Sequence, residues 1–290
     1  MVPLMASIAL VVHPDRPRAA ELARELAGWL VAAGHEVRLP KDDAAAAGLP
    51  DLGRSADEVL RDLDLVVSLG GDGTMLRTVD LVATAEVPVM GVNLGQLAYL
   101  SEVEPSGVRP ALERFLAGDY TIEARMLVAA SVERPSGASP QPLAIGLNEI
   151  VLEKTESGHT VRLEVEINGN FFTPYTADGL IVATPTGSTA YSLSARGPIV
   201  EPTHRAILVT PVSPHMLFDR TLVLLPDAVV RLTVAGTRPA NVSVDGRLLG
   251  ELAVGDAITC TASPHSARFV VFGSRDFHGI LKAKFKLGDR

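Results

Sequence analysis

The chain has 290 residues, 47% of them hydrophobic and 21% charged, which excludes whole-chain disorder and suits two domains better than one. Acidic residues outnumber basic ones 34 to 26, for a net charge of −8, a balance that argues against a protein gripping nucleic acid or docking on an anionic membrane. A single cysteine, Cys260, excludes an intrachain disulfide framework and any cysteine-rich zinc module, and fits a reducing compartment; a cytoplasmic location is expected.

Met1 to Val12 is apolar with no Lys or Arg ahead of it, so it reads as a first strand (Ser7 to Val12) and not as a signal peptide. Leu22, Leu26, Trp29, Leu30 and Ala33 recur at helical spacing, predicting a helix over Ala19 to Ala33 that stops at Gly34. Glu36 to Leu39 reads as a second strand. The stretch from Lys41 to Ser55, rich in Asp, Ala, Gly and Pro, reads as a surface loop. Leu63 to Leu69 is a strongly apolar strand that runs into Gly70-Gly71-Asp72-Gly73-Thr74 and an apolar helix from Met75 to about Ala83. Pro88 to Val92 is the next strand, and Val108 to Ala117 the next helix. Strand and helix in alternation imply an open parallel sheet, a Rossmann-like α/β domain.

After Tyr120 short β-rich runs replace the helical period: 127–132, 147–152, 161–167, 180–183, 206–209, 222–225, 229–234, 242–244, 257–261 and 267–272. Asn168-Gly169 and Asp245-Gly246 are hairpin turns, and Arg134 to Pro142 is a polar loop. The expected division is therefore an α/β domain over 1–120, a mostly antiparallel all-β domain over 121–275 and a tail over 276–290. Lys282 to Lys286 alternates basic and apolar residues and reads as a solvated edge segment.

The glycine loop is the sharpest signal in the first half. Glycines let main chain bend tightly and approach a ligand, and a helix starting near Thr74 would add its positive end, which together suits a phosphate. The site falls at the carboxyl end of a parallel strand, where such sheets bind ligands. A P-loop is excluded because no Gly-Lys pair occurs, and the dinucleotide fingerprint fails because Leu76 stands at its third glycine. Asp72 is out of place in a phosphate cradle unless it faces a hydroxyl, or a metal ion that bridges phosphates, as phosphoryl transfer requires. The competing reading is a plain Gly-Asp-Gly turn in which Asp72 caps the next helix.

A second block, Asp178 to Pro198, is dense in hydroxyls: seven of the eleven residues from Thr184 to Ser194 carry one. Hydroxyls donate and accept, which suits a polyhydroxylated, phosphate-bearing ligand. A polar loop with Ser and Thr capping a short helix also explains the hydroxyls, but not Asp178, Tyr191 and the tight Thr-Pro-Thr-Gly turn together. His13, His35, His204, His215, His265 and His278 lack metal-ligand spacing and read as structural or solvated.

Taken together, Gly70–Thr74, Asn148-Glu149 and Asp178–Pro198 resemble the NAD kinase family, with support from Asn93-Leu94-Gly95 and from Pro211 to Leu217 (PVSPHML). The resemblance implies phosphorylation of the 2′-hydroxyl of the adenosine ribose of NAD, giving NADP, with ATP or inorganic polyphosphate as donor and Mg²⁺, or another divalent cation, as counter-ion of the phosphates. It implies Asp72 as base or orienter, with Gly70, Gly71, Gly73, Thr74 and Arg77 at the phosphates. It places NAD contacts on Asn148, Glu149 and Asp178, where Asn148 is expected to read an adenine edge or a ribose hydroxyl and Asp178 to partner the nicotinamide side. Thr189, Ala190, Tyr191, Ser192, Leu193 and Ser194 fall in the hydroxyl block, with Tyr191 available to stack on a ring. His159, Thr176 and Arg247 match positions that line the site in relatives. No residue is assigned as a protein ligand of the metal.

Two departures stand out: Arg196 replaces a family glycine in Ala195-Arg196-Gly197-Pro198, and Leu97-Ala98-Tyr99-Leu100 replaces Leu-Gly-Phe-Leu. The resemblance also implies a cleft site to which both domains contribute, and a homodimer or homotetramer that covers exposed sheet edges. Two alternatives stand beside it: a lipid kinase sharing the glycine loop, and a non-catalytic dinucleotide-binding regulator.

Overall fold

The computed structural model describes residues 5–95, 99–135, 139–273 and 276–288. The chain forms two compact units, Met1–Ala124 with Ala267–Arg290, and Arg125–Ser266.

The first unit opens with β1 (Ser7–Val12) and α1 (Pro17–Ala32). Pro17 starts α1 at a position where no N–H is needed, and Leu22, Leu26 and Leu30 line its buried face with Ala19, Ala23 and Ala27. Each fully buried leucine contributes about 2 kcal/mol of transfer free energy. Gly34, at φ +86°, turns the chain left-handed where other residues are strained. Then come β2 (Glu36–Pro40), α2 (Lys41–Ala47), β3 (Gly53–Arg54), α3 (Ala56–Leu60), β4 (Leu65–Gly70), α4 (Asp72–Val82), β5 (Val89–Asn93) and α5 (Val108–Leu116). The strands pair in the order β3-β2-β1-β4-β5, all parallel. Both β1 and β4 are buried along their whole length, which is why they read as unbroken apolar runs.

The register brings three strand ends to one edge: Val12 pairs with Leu69, and Gly70 with Asn93. The His13 N–H then bonds to the Leu69 carbonyl at 3.0 Å, and the Leu94 N–H to the Gly70 carbonyl at 2.8 Å. The turn at His13–Asp15, the loop after Gly70 and the segment after Asn93 therefore leave the sheet side by side, at its carboxyl edge.

The surface loop expected over Lys41 to Ser55 is instead α2, a 3-10 turn (Pro50–Leu52) and β3. Asp42 and Asp43 sit in the first turn of α2, alanines fill it, and Gly48 at φ +70° ends it. The following α3 carries a capping box of Ser55 and Glu58.

The second unit is built from β6 (Thr121–Glu133, which starts in the first), β7 (Gln141–Gly146), β8 (Glu149–Lys154), β9 (Val161–Ile167), β10 (Asn170–Ala177), β11 (Gly179–Ala183), α6 (Tyr191–Ser194), β12 (Ile207–Val212), β13 (Leu222–Leu224), β14 (Val230–Ala235), β15 (Ala240–Val244), β16 (Arg247–Leu252) and β17 (Ala257–Val271). One antiparallel sheet runs β13-β12-β11-β8-β15-β16, and a second runs β10-β9-β14-β17, with β6 joining β17 to β7. Alternate residues such as Val161, Leu163 and Val165 of β9 and Val230, Leu232 and Val234 of β14 form the core with Ile150, Leu152, Leu180 and Val182. Both expected hairpins occur: Asn168 and Gly169, and Asp245 and Gly246, all have positive φ and join β9 to β10 and β15 to β16.

The end of β17 returns to the first unit, where Phe269 pairs parallel with Val89. The chain then forms α7 (Phe277–Phe285), a helix where an edge segment was expected. The runs 257–261 and 267–272, read separately, are the two ends of β17. Part of the polar loop at 134–142 and of the Leu97-Ala98-Tyr99-Leu100 stretch lies outside the described residues.

Cys260 is fully buried on β17, and burial pushes its thiol up to about 12. The native protein at pH 7 is therefore expected to resist a thiol reagent such as dithionitrobenzoate and to be labelled at the rate of unfolding. Prompt labelling of folded protein would contradict this core.

Candidate functional site

The carboxyl edge of the parallel sheet holds a cavity of about 410 Å³ lined by His13, Asp15, Arg16, Asp72, Thr74 and Arg77 among others. None of Gly70, Gly71 and Gly73 has a positive φ, so the glycines serve space here and not a left-handed turn. A Cβ on Gly70 would lie 2.1 Å from the Thr74 hydroxyl, so this strand end packs only as glycine. Side chains at Gly71 and Gly73 would meet nothing, which leaves the main chain open to a ligand.

Asp72 is the first residue of α4, and Gly71 is the capping residue. The expected alternative, Asp72 as a helix cap, is not what the hydrogen bonds show. Its Oδ2 accepts from the Tyr99 N–H at 3.2 Å and its Oδ1 from the Leu100 N–H at 3.1 Å. The side chain is half-buried, at the positive end of a helix that favours its charge. Arg77, one turn on, is gripped by Asp43: Nη1 to Oδ1 is 2.7 Å and Nη2 to Oδ2 is 2.9 Å, and Nη2 also donates to the Val12 carbonyl at 2.6 Å. Asp43 is only 2% exposed and accepts the Val12 N–H as well, so it ties β1, α2 and α4 together at the cavity wall. Arg16 donates to the Leu94 carbonyl.

In the second unit, the Asn148-Glu149 pair is shaped by Asp245. The Asp245 carboxylate accepts three N–H groups, from Leu147 at 2.8 Å, Asn148 at 2.8 Å and Glu149 at 3.0 Å. Thr184 closes the same turn: its N–H bonds to the Asn148 carbonyl at 2.9 Å and its hydroxyl to the Leu147 carbonyl at 2.5 Å. Gly187 presses on it so closely that a Cβ would lie 2.0 Å from the Asn148 carbonyl oxygen. Glu149 is 5% exposed, and its Oε2 has no partner among the described residues. Burial pushes its carboxyl up to about 8, with the Asp245 charge adding to the effect and a Tyr191 N–H opposing it. At neutral pH Glu149 is thus mostly protonated and able to donate.

The hydroxyl block divides. The Ser188 hydroxyl donates to the Val200 carbonyl and accepts the Val200 N–H, and Ser192 is buried with its hydroxyl 2.9 Å from Thr210 Oγ1. Tyr191 and Ser194 instead open, with Arg196 and Arg220, onto a second cavity of about 720 Å³. Thr189, Ala190 and Leu193 are half-buried beside them. Burial raises the Tyr191 phenol, and the charges of Glu153, Asp178 and Glu149 push the same way. β8 and β11 pair from Glu149↔Ala183 to Glu153↔Gly179, which sets Asp178, one residue beyond, at the other end of the strands from Glu149, about 16 Å along. Asp178 takes the Lys154 ammonium at 2.7 Å. The exposed Thr176 accepts the His215 N–H at 2.8 Å through its carbonyl, which docks the PVSPHML segment beside β10. His159 is half-exposed in the turn before β9, 3.5 Å from Glu156, and Arg247 is exposed at the start of β16.

Residues 8–120 match the ATP-NAD kinase N-terminal domain and residues 147–272 the ATP-NAD kinase C-terminal domain. The chain belongs to the NAD kinase family. It is 43% identical over 289 residues to the NAD kinase of Heliobacterium modesticaldum, covering 98% of this chain and 100% of that one. It is 38% identical over 290 residues to the NAD kinase of Citrifermentans bemidjiense, covering 99% and 100%. Among solved structures it is similar to yeast NADH kinase complexed with NADH, with a TM-score of 0.91 at 27% identity, covering 99% of this chain and 90% of that one. The fold is also that of an NAD kinase from Archaeoglobus fulgidus in complex with ATP, with a TM-score of 0.73 at 22% identity and coverage of 97% and 98%.

The NAD kinase resemblance places a glycine where this chain has Arg196, and the structure gives the reason: φ there is +66°, a conformation that glycine adopts freely and arginine at a cost of about 1 kcal/mol. Gly197 beside it is fixed by space, since a Cβ would lie 2.2 Å from the Ser192 hydroxyl. Sequence reasoning left out Asp43 and gave Asp245 only a place in a turn. Each is a carboxylate whose partners lie far away in sequence, so no local pattern marks them.

Because the Glu149 carboxyl titrates higher folded than unfolded, its contribution to stability is complete below the ordinary carboxylate range and is lost as pH rises through about 8. Glu149→Gln is therefore expected to melt above wild type at pH 9 and to lose that advantage at pH 5, as read by calorimetry without ligand. Equal melting differences at both pH values would contradict the assignment.

Proposed function

We propose that the chain transfers the terminal phosphoryl group of ATP to the 2′-hydroxyl of the adenosine ribose of NAD, giving NADP and ADP, with Asp72 as the group that orients the hydroxyl and takes its proton. Family membership supports the reaction, and the observation that carries the residue assignment is the aim of Asp72. Its carboxylate is held by two peptide N–H groups at the wall of a glycine-lined cavity. A bond forms from the ribose oxygen to the γ-phosphorus while the bridge to the β-phosphate breaks, ADP departs and the proton passes to Asp72. A carboxylate is a weak base for an alcohol, but in a loose transition state the proton leaves late, so orientation and late acceptance suffice.

Gly71 and Gly73 leave main chain free to meet the phosphates, Gly70 and Thr74 pack together to set that turn, and Arg77, already fixed by Asp43, presents positive charge at the cavity wall. NAD is expected to be read by Asn148, by Glu149 as a donor, by Asp178 and by the α6 region from Thr189 to Ser194, with Ser192 acting through the main chain because its hydroxyl is committed to Thr210. His159, Thr176 and Arg247 complete the proposed set.

Among the described residues no three His, Cys, Asp or Glu side chains form a metal cluster. The donor set nonetheless fits Mg²⁺, which binds through one or two carboxylates and the substrate's phosphates. With Asp72 given to the hydroxyl, Asp15 is the cavity carboxylate that would hold it, and the ion would neutralise phosphate charge. We further propose inorganic polyphosphate as an alternative donor, NADH as an alternative acceptor, a cytoplasmic location and a homodimer or homotetramer. No helix among the described residues is long and apolar enough to cross a membrane.

Asp72→Asn removes the proton acceptor and keeps the shape. Purified protein carrying it should bind NAD normally and form NADP at least ~100-fold more slowly. Turnover near wild type would overturn the role given to Asp72.

A further inference from the structure

The last helix brings a cation to the segment that holds Asp72. Asp276 caps α7, its side chain accepting the Gly279 N–H at 2.8 Å, and the buried Phe277 anchors the helix. Lys284, seven residues or two turns after Phe277, falls on the same face. Its ammonium sits 3.3 Å from the centroid of the Tyr99 ring. A cation over an aromatic face is attracted by the ring's negative centre. Tyr99 and Leu100 are the two residues whose N–H groups fix the Asp72 carboxylate.

The three groups also share an electrostatic environment. Burial lowers the proton affinity of Lys284, and the Asp72 charge opposes that shift. Burial and the same charge raise the Tyr99 phenol. Of the cations lining the cavity, Arg77 is committed to Asp43 and Val12, and Arg16 to Leu94. Lys284 makes no ion pair with a carboxylate among the described residues, and its described partner is the ring that carries the Asp72 clamp.

We propose that Lys284 is a positioning residue for phosphoryl transfer: seated on Tyr99, its ammonium holds the Tyr99 and Leu100 peptides against Asp72 and so sets the direction in which the carboxylate meets the attacking hydroxyl. This rests on the reading of Asp72 as proton acceptor. Small misplacements of a group at the reacting centre are expensive, on the order of a hundredfold in rate for about 1 Å. The effect belongs in turnover and not in binding, because Lys284, seated on the Tyr99 ring, acts on the orientation of Asp72.

The test compares Lys284→Met, Lys284→Arg, Tyr99→Leu, the Lys284→Met/Tyr99→Leu double variant and Asp72→Asn in the full chain. It measures kcat, KM for NAD and for ATP, and NAD affinity by calorimetry. Lys284→Met should lower kcat roughly tenfold to a hundredfold, with both KM values and NAD affinity unchanged. Lys284→Arg should restore most of the turnover, because a guanidinium also sits on aromatic faces. The double variant should be no slower than the slower single one, since the two side chains act as one unit. Should Lys284→Met fail to fold, Lys284→Gln removes the charge with less change of shape and takes its place. Wild-type kcat in the neutral variant, a loss confined to KM for ATP, no rescue by arginine, or losses that simply multiply would each overturn the proposal. An inactive Asp72→Asn beside a fully active Lys284→Met strikes this inference alone, whereas an active Asp72→Asn strikes the reading it rests on.

Discussion

Asp72 is a carboxylate set inside a glycine loop, and the chemistry proposed for the first unit depends on how it is held. Two constraints act on it: the positive end of α4 favours its charge, and the Tyr99 and Leu100 N–H groups fix its two oxygens. Both follow from strand register. Gly70 ends β4 opposite Asn93 at the end of β5, so the chain leaving β5 passes the start of α4. Gly70 must be glycine for Thr74 to close the first turn beneath it. The motif is thus a packing requirement at its first position, whereas Gly71 and Gly73 meet no neighbour and leave the main chain open.

The same device recurs. Asp43 accepts the Val12 N–H while gripping Arg77, and Asp245 accepts three N–H groups from the Asn148-Glu149 turn. In each case a carboxylate gathers main-chain donors and so shapes a segment that side-chain packing alone would leave loose. The second turn carries a further consequence. Gly187, Thr184 and Asp245 all contact its main chain, and Glu149 is left buried with an oxygen that has no partner among the described residues. A buried acid of this kind destabilises the empty protein when ionised and is well suited to donate to a ligand when neutral.

The parallel sheet was legible because its strands are buried on both faces and read as apolar runs, and the hairpins because Asn-Gly and Asp-Gly accept positive φ. The helix α2 was not, since alanine with Asp, Gly and Pro resembles a loop until the buried side of Asp43 and Ala44 is known. β10 and β16 escaped for another reason: as edge strands they are largely exposed and lack the alternation that marks a half-buried strand. The density of hydroxyls from Thr184 to Ser194 suits a polyhydroxylated ligand but does not say which of them face it: Ser188 and Ser192 turn inward, and Tyr191 and Ser194 meet the cavity. In the tail, Lys-Ala-Lys-Phe-Lys alternates like a strand, and the helical phase set by Phe277 and Lys284 shows only once α7 is seen against Tyr99.

The most direct measurement is a crystal structure of the protein with NAD and a non-hydrolysable ATP analogue. An Asp72 carboxylate oxygen is expected within about 2.6–3.2 Å of the adenosine ribose 2′-oxygen, with that ribose oxygen facing the γ-phosphorus. A complex in which both substrates are bound and Asp72 points elsewhere, with another side chain meeting the 2′-hydroxyl, would contradict it.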